Sequence, residues 1–351
     1  MSASRWVKRS AFEALYFSGA FRLSRAFLSG VGAILTCHHV RPATKVLLRP
    51  NRSLEITPEF LEQIIVSLRR RSIDLISLDE AQRRLLEGDF SRRFVAFTFD
   101  DGYRDNLSNA WPILKRHGVP FALYVPSSFA DGVGDLWWVA LERVIAASTQ
   151  IEVTIRGETL RVDCESETTK ERAFQRLYWR LRALSSEREM RAVIQELAQR
   201  SGVETADISR QLCMDWSELE TLASDPLVTI GVHTHSHLML RKAAAEEARA
   251  EMLLGARRIQ TRLRRSPRHF SYPVGDPTSA GPREFAIAAE LGFATAVTTR
   301  PGVLFPEHRQ HLHALPRLSV NGDFQRLRYF EVMLSGAATA LFNRFRRVST
   351  A

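Results

Sequence analysis

The run Phe94-Val-Ala-Phe-Thr-Phe-Asp-Asp-Gly-Tyr103 sets two carboxylates, Asp100 and Asp101, side by side at the end of an apolar stretch. The stretch reads as a buried strand, and Gly102 closes it as a turn residue. Two adjacent anions at the rim of a core are costly unless a positive charge sits beside them. A second run, Gly231-Val-His-Thr-His-Ser-His237, follows another apolar stretch and brings three histidines together. His233 and His237 are four apart, so a helical or turn-like backbone presents both to one point. Two imidazoles and a carboxylate, with positions left for water and substrate, resemble a catalytic zinc site more than a closed structural one. One aspartate can then ligate while the other takes a proton from a water whose pKa the metal lowers toward ~7. That chemistry is hydrolysis of an amide or ester without a covalent enzyme intermediate.

The elements that must position these groups alternate. Residues 33–37, 94–99, 121–125, 228–232, 269–272 and 294–298 read as strands, with a last extended segment over 313–320. Helical patterns run over 57–71, 105–117, 241–263 and 282–291, and another starts at Ser77. Thr57 is an N-cap ahead of Pro58, and Ser77-Leu-Asp-Glu is a capping-box pattern. Such βα repetition implies parallel strands with helices outside, as a barrel or a doubly wound sheet. Residues 136–226 break the rhythm with helical patterns at 137–147, 170–184 and 187–201. Between the first two lies a hairpin pattern, 151–155 and 159–162 around Gly157. The expected organisation is a basic amphipathic segment (1–32), an α/β unit of parallel strands (33–135 and 227–325), an inserted subdomain (136–226) and a C-terminal helix or tail (326–351).

Of the 351 residues 45% are hydrophobic and 25% charged, which is ordinary globular composition. The net charge of +10 suggests an anionic partner. The charge is spread over helix faces with no nucleic-acid motif, so no nucleic acid is expected. Cys37, Cys164 and Cys213 are odd in number and widely spaced, which argues against disulfides or a thiolate zinc site and fits a reducing compartment. Glu13, Arg22 and Arg25 interrupt any signal-peptide core, and no apolar run is long enough to span a bilayer. A cytoplasmic protein is expected. Residues 5–30 form an amphipathic helix pattern with Trp6, Phe12, Leu15, Tyr16, Phe21, Leu23 and Phe27. These either pack on the domain or, with Arg5, Lys8, Arg9, Arg22 and Arg25, contact the anionic inner face of a membrane. Trp137 and Trp138 either stack on sugar rings or anchor the insertion.

Thr98-Phe-Asp-Asp-Gly102 followed by His233-Thr-x-x-His237 resembles the polysaccharide deacetylases, the NodB-homology domain of carbohydrate esterase family four. The resemblance implies a distorted (β/α) barrel that removes acetyl groups from glycans with a divalent metal, commonly zinc. It implies Asp100 as general base, Asp101, His233 and His237 as metal ligands, and Thr234 as orienting the loop, with no metal role for His235. Leu35-Thr-Cys-His-His-Val40 resembles the family's opening segment and would bring His38 to the pocket; a strand-end histidine is the plainer reading. Phe270-Ser-Tyr-Pro-Val-Gly275 resembles a further motif, so Tyr272 and Pro273 join Gly102, Tyr103 and Trp138 as expected pocket residues. Ser271 stands where many members carry the arginine that orients the base, and Arg317 in Leu315-Pro-Arg-Leu-Ser-Val320 is the expected replacement. The family's late Leu-x-His, whose histidine is the general acid, has no match, and His311 and His313 are out of pattern. The function implied is deacetylation of an N-acetylated sugar in a glycan, oligosaccharide or glycolipid precursor of cell-surface polysaccharide. The alternatives are a related amidohydrolase on a small-molecule amide, and a catalytically weak glycan-binding or assembly protein.

Overall fold

The computed structural model describes residues 2–44, 46 and 48–348. Seven short apolar runs become parallel strands: β1 (Gly32–Cys37), β2 (Phe94–Phe99), β3 (Phe121–Val125), β4 (Val228–Val232), β5 (His269–Ser271), β6 (Thr295–Pro301) and β7 (Leu315–Ser319). They pair in chain order, and β1 pairs with both β2 and β7, so the sheet closes. The result is the distorted (β/α) barrel that the family resemblance implies, one of the two architectures the alternating pattern allows. Because all strands run the same way, their C-terminal ends meet at one rim, where such barrels build their sites.

The period-two alternation of a strand decides which side chains face inward. Phe94 and Ala96 of β2 join Ile34, Ala122, Tyr124, Val297 and Leu315 in an inner cluster. Val95, Phe97 and Phe99, one residue out of phase, pack instead against the surrounding helices. The outer layer contains α3 (Pro58–Arg70) and α4 (Leu78–Glu87), which begin at the predicted caps: Thr57 accepts the Phe60 N–H and Ser77 the Glu80 N–H. Phe60, Leu61, Ile64, Ile65 and Leu68 of α3 are buried, the one-sided spacing of a helix on a sheet.

Between β3 and β4 the chain makes α5 (Trp137–Ala147), an antiparallel hairpin (Gln150–Ile155 with Glu158–Asp163), α6 (Glu167–Arg182), α7 (Glu187–Arg200) and α8 (Trp216–Ala223). Leu141, Ile145, Phe174, Leu177, Leu181, Met190 and Ile194 from α5, α6 and α7 share a buried cluster separate from the barrel's. After β4 come α9 (Ala245–Leu263) and α10 (Pro282–Glu290). After β7 come α11 (Leu327–Leu334) and α12 (Ala337–Phe342), which pack with α1 (Ser2–Phe17) and α2 (Ala20–Leu28).

Three helices differ from the sequence pattern. The single N-terminal helix is two, because Gly19 turns the chain with φ 74°. Residues 105–117 open with a wide turn over Asn106–Ala110, where the Trp111 N–H reaches back five residues to the Asn106 carbonyl before Trp111–Arg116 becomes α-helical. Pro112 has no N–H to close an ordinary helical bond at that point. The helix expected from residue 241 begins at Ala245, after a separate 3-10 turn over Leu240–Lys242. Among the described residues no helix is long and apolar enough to cross a membrane.

Candidate active site

Asp100 continues the inward series of Phe94, Ala96 and Thr98, so its carboxylate enters the mouth of the barrel. Asp101 is in phase with the outward series, but its φ of 73°, followed by 65° at Gly102, turns the chain back. Aspartate tolerates the left-handed region better than most residues, and Gly102 adopts it without strain. Both carboxylates are buried.

The charge that compensates Asp100 comes from β7. Arg317, itself buried, donates from Nη1 to Asp100 Oδ1 at 2.8 Å and from Nη2 to Oδ2 at 2.7 Å. Its other donors reach Thr98 Oγ1 (3.1 Å), Ser271 Oγ (3.1 Å) and the Thr298 carbonyl (2.9 Å). All five guanidinium N–H groups are therefore used, which is what keeps a buried arginine tolerable. Ser271, where an arginine was expected, takes part as an acceptor from Arg317. Burial raises the Asp100 carboxyl pKa, but the Arg317 charge and hydrogen bonds, with the nearby His233 and His38, together hold the group below the usual carboxylate range.

Asp101 faces His233 and His237, whose Nε2 atoms lie 3.5 and 3.3 Å from its Oδ1. The candidate ligand atoms of the three residues all lie within 4.8 Å of one another. His233 has its Nδ1 2.7 Å from the Ser271 carbonyl, so Nδ1 carries the hydrogen and Nε2 turns a lone pair toward Asp101. Two acceptors facing each other in a buried site are repulsive without a cation between them. Asp101 Oδ1 has no hydrogen bond, although it is buried. Burial also pushes the His237 pKa down, toward the neutral form that ligates. The donor set therefore fits a divalent metal with three protein ligands.

The loop carrying both histidines is held from two sides. Thr234 and His237 take φ of 62° and 60°, and Gly255 of α9 lies so close that a Cβ there would sit 2.6 Å from the Thr234 carbonyl oxygen. Glu251 of α9 accepts the backbone N–H groups of His235 (3.1 Å) and Ser236 (2.8 Å). From the inserted segment, Glu187 accepts the Met239 N–H at 2.6 Å, and Arg191 donates to the Ser236 and His237 carbonyls at 3.2 and 3.4 Å.

A polysaccharide deacetylase family model matches residues 87–154 and 168–296, more than half of the chain. The chain belongs to that family. Its fold is also that of solved structures at low identity. The Streptococcus pyogenes deacetylase PplD, in complex with acetate, is 15% identical with a TM-score of 0.57, over 86% of this chain and 97% of that one. IcaB from Ammonifex degensii is 17% identical with a TM-score of 0.54, over 87% and 96%. A de-N-acetylase from Aggregatibacter actinomycetemcomitans is 13% identical with a TM-score of 0.54, over 86% and 99%. None of the curated proteins matches the sequence. Membership makes this a carbohydrate deacetylase of a metal-dependent family, with an N-acetylated carbohydrate as substrate class.

The deacetylase site opens into a cavity of about 420 Å³, a small-ligand size. Asp100, Asp101, His38, His233, His237 and Trp138 line it; Gly102, Tyr103, Tyr272 and Pro273 do not. Tyr103 is buried behind the triad, its ring stacked on His39 at 3.5 Å and its hydroxyl accepting from Trp138 Nε1 at 3.2 Å. Gly102 serves the turn, and its carbonyl accepts the Met214 N–H. The Tyr272 hydroxyl bonds the His313 carbonyl in the outer layer, and the motif's cavity residue is Val274 instead. Trp138 is buried with its ring 4.8 Å from that of His237, so it packs on that imidazole and is not an exposed platform. His235 turns away to Ser127 Oγ (2.7 Å), and His313 to the Phe293 carbonyl (2.7 Å). Sequence reading missed the loop-holding Glu187, Arg191 and Glu251, and the far cavity wall of Phe174, Tyr178, Trp179 and Phe324. The spacing of Phe174 and Tyr178 on one helix face is the one signal that could have pointed to that wall.

Proposed function

We propose that this deacetylase hydrolyses the acetamide of an N-acetylated sugar at the Asp101, His233 and His237 centre, with Asp100 as general base. The observation that carries the reading is the buried division of labour between the two aspartates: one salt-bridged to Arg317, the other facing two imidazoles. A divalent cation, zinc by the donor set, supplies Lewis acidity toward water and the acyl oxygen when bound. Asp100 takes a proton from the attacking water. Arg317 occupies one lone pair on each of its oxygens and fixes the carboxylate plane, leaving further lone pairs for that proton. The water oxygen bonds the acetyl carbon, the C–N bond breaks, acetate leaves, and the amine needs a proton. His38 lines the same cavity and donates it. Burial disfavours its imidazolium and lowers its pKa, which makes the charged form a stronger acid.

Acetate release from short N-acetylated oligosaccharides tests the reading, with wild type, Asp100→Asn and His38→Gln compared at equal metal content. The expected result is release by wild type and strong loss in both variants with metal still bound. A metal-loaded wild type that releases no acetate from any N-acetylhexosamine substrate overturns it.

A further inference from the structure

Of thirteen exposed large hydrophobic side chains among the described residues, eight belong to the two terminal segments: Trp6, Val7, Phe17, Leu23, Phe27, Leu341, Phe342 and Phe345. Single exposed apolar residues need no explanation, but a concentration of them does. The apolar residues of the N-terminal pattern divide into two sets. Phe12, Leu15, Tyr16 and Phe21 pack on Val332 and Ala337, so one face of α1 and α2 is satisfied by the protein itself. Trp6 and Phe17, about three turns apart on α1, lie on another face. Leu23 and Phe27, one turn apart on α2, are 80% and 76% exposed. α2 packs on α12, which carries the exposed Leu341 and Phe342.

The charge carried by the terminal segments themselves is almost all positive, although Glu307, from outside them, pairs with Arg347 at 3.2 Å. Arg22, Arg344 and Arg346 are exposed among them. Residues 1–54 contain a single acidic residue, Glu13, and residues 332–351 contain none. Glu13 is turned inward, accepting from Arg328 Nη2 (2.6 Å) and the Tyr329 hydroxyl (2.5 Å). A second copy of this chain would set like charges against each other. An anionic bilayer complements both the charge and the apolar side chains. α1 also reaches the cavity: Lys8 lines it, and Arg9 donates to the Asp323 carbonyl in the adjoining rim loop at 2.8 Å.

We infer that α1, α2 and α12 form one interfacial surface that docks on an anionic membrane and holds the cavity mouth beside it, so that the N-acetylated saccharide is taken from a lipid carrier. The substrate part rests on the deacetylase chemistry proposed above; the docking part does not.

Co-sedimentation of the full chain with vesicles tests it, using phosphatidylcholine alone and phosphatidylcholine mixed with phosphatidylglycerol. Binding is expected to the anionic vesicles, weakened by salt, and to fall at least about tenfold in Leu23→Ser/Phe27→Ser/Phe342→Ser. An Arg22→Glu/Arg344→Glu/Arg346→Glu variant, with its apolar residues intact, should also lose binding. The apolar variant should keep wild-type acetate release from a water-soluble oligosaccharide while losing it from a lipid-carried one in vesicles. Absence of binding to anionic vesicles overturns the inference. So does a mass in solution that is dimeric in wild type and monomeric in the apolar variant, which would assign the surface to a second copy. Vesicle binding with unchanged turnover of the lipid-carried substrate overturns the carrier part. Vesicle binding by a protein inactive on every substrate leaves the docking standing and removes the deacetylase reading alone.

Discussion

Asp100, Asp101, His38, His233 and Arg317 all stand on barrel strands or just beyond their C-terminal ends, and His237 follows within the same loop as His233. The segment between β3 and β4 supplies none of them. It reaches in with Glu187 and Arg191 to grip the His237 loop, and with Phe174, Tyr178 and Trp179 to wall the cavity. The barrel thus holds Asp100 and Arg317 in fixed, fully bonded positions, while the segment between β3 and β4 adjusts how firmly the His237 loop is held and what lies farther out. A closed sheet offers rigid strand ends, which suits groups that must be placed to a fraction of an ångström. Recognition of a variable substrate suits a separate cluster that can change without disturbing the barrel.

If that division is right, the steepest losses belong to barrel residues. Asp100→Asn keeps size and removes the base, so kcat should fall about 10²- to 10⁴-fold with metal content unchanged. A loss of metal together with activity would show that Asp100 ligates and would break the separation of the two aspartates. Next is Arg317→Met, which leaves a buried carboxylate unpaired and should lower unfolding stability by about 3–5 kcal/mol at neutral pH. With the guanidinium gone, the strongest influence that opposes burial is lost and the Asp100 pKa rises. The base must be ionised, so the acid limb of the pH–activity profile should move to higher pH in this variant. A profile that stays in place would show that Arg317 does not set the ionisation of the base.

These barrel residues were also the legible ones. Thr98-Phe-Asp-Asp-Gly102 and His233-Thr-x-x-His237 are local runs in which residue type, spacing and strand end all point to one chemistry. Arg317 could be suggested because a positive charge was missing elsewhere; its five-bond placement depends on Thr98, Ser271 and Thr298 arriving from three other strands. Tyr103 and Tyr272 were misplaced for the same reason. A motif gives adjacency in sequence, whereas the side on which a ring falls is set by the alternation and by the left-handed turn at Asp101 and Gly102. Glu187 and Arg191 carried no signal, since charged residues in the opening turns of a helix are commonplace and their partners lie about fifty positions away.

The grip of the segment between β3 and β4 on the His237 loop gives the third test. Arg191→Met removes donors to the Ser236 and His237 carbonyls, and Glu187→Gln weakens the bond to the Met239 N–H. Outer partners of metal ligands typically tune affinity by about 10- to 100-fold, and a metal-binding isotherm on either variant should show a loss in that range. Excess metal should then restore most of the wild-type kcat, because no reacting group has been removed. A variant that stays inactive at saturating metal would show that α7 positions the reacting groups themselves, and the contrast between the two regions would fail.

The smallest effect is expected at the outer wall. Trp179 is 55% exposed on the cavity side of α6, with Arg182 5.3 Å from its ring centre. Its neighbour Tyr178 is more enclosed, its ring tilted against Trp137 at 5.2 Å. An exposed indole at the end of a cavity offers an apolar face to the C–H side of a sugar ring, worth about 1 kcal/mol. Trp179→Ala should therefore raise KM about fivefold and leave kcat unchanged, as expected for a contact made equally in the ground and transition states. The effect should appear with oligosaccharides and vanish with a single N-acetylated sugar, which fills only the metal end. A loss of kcat on both substrates would mean that the insertion shapes the reacting end as well.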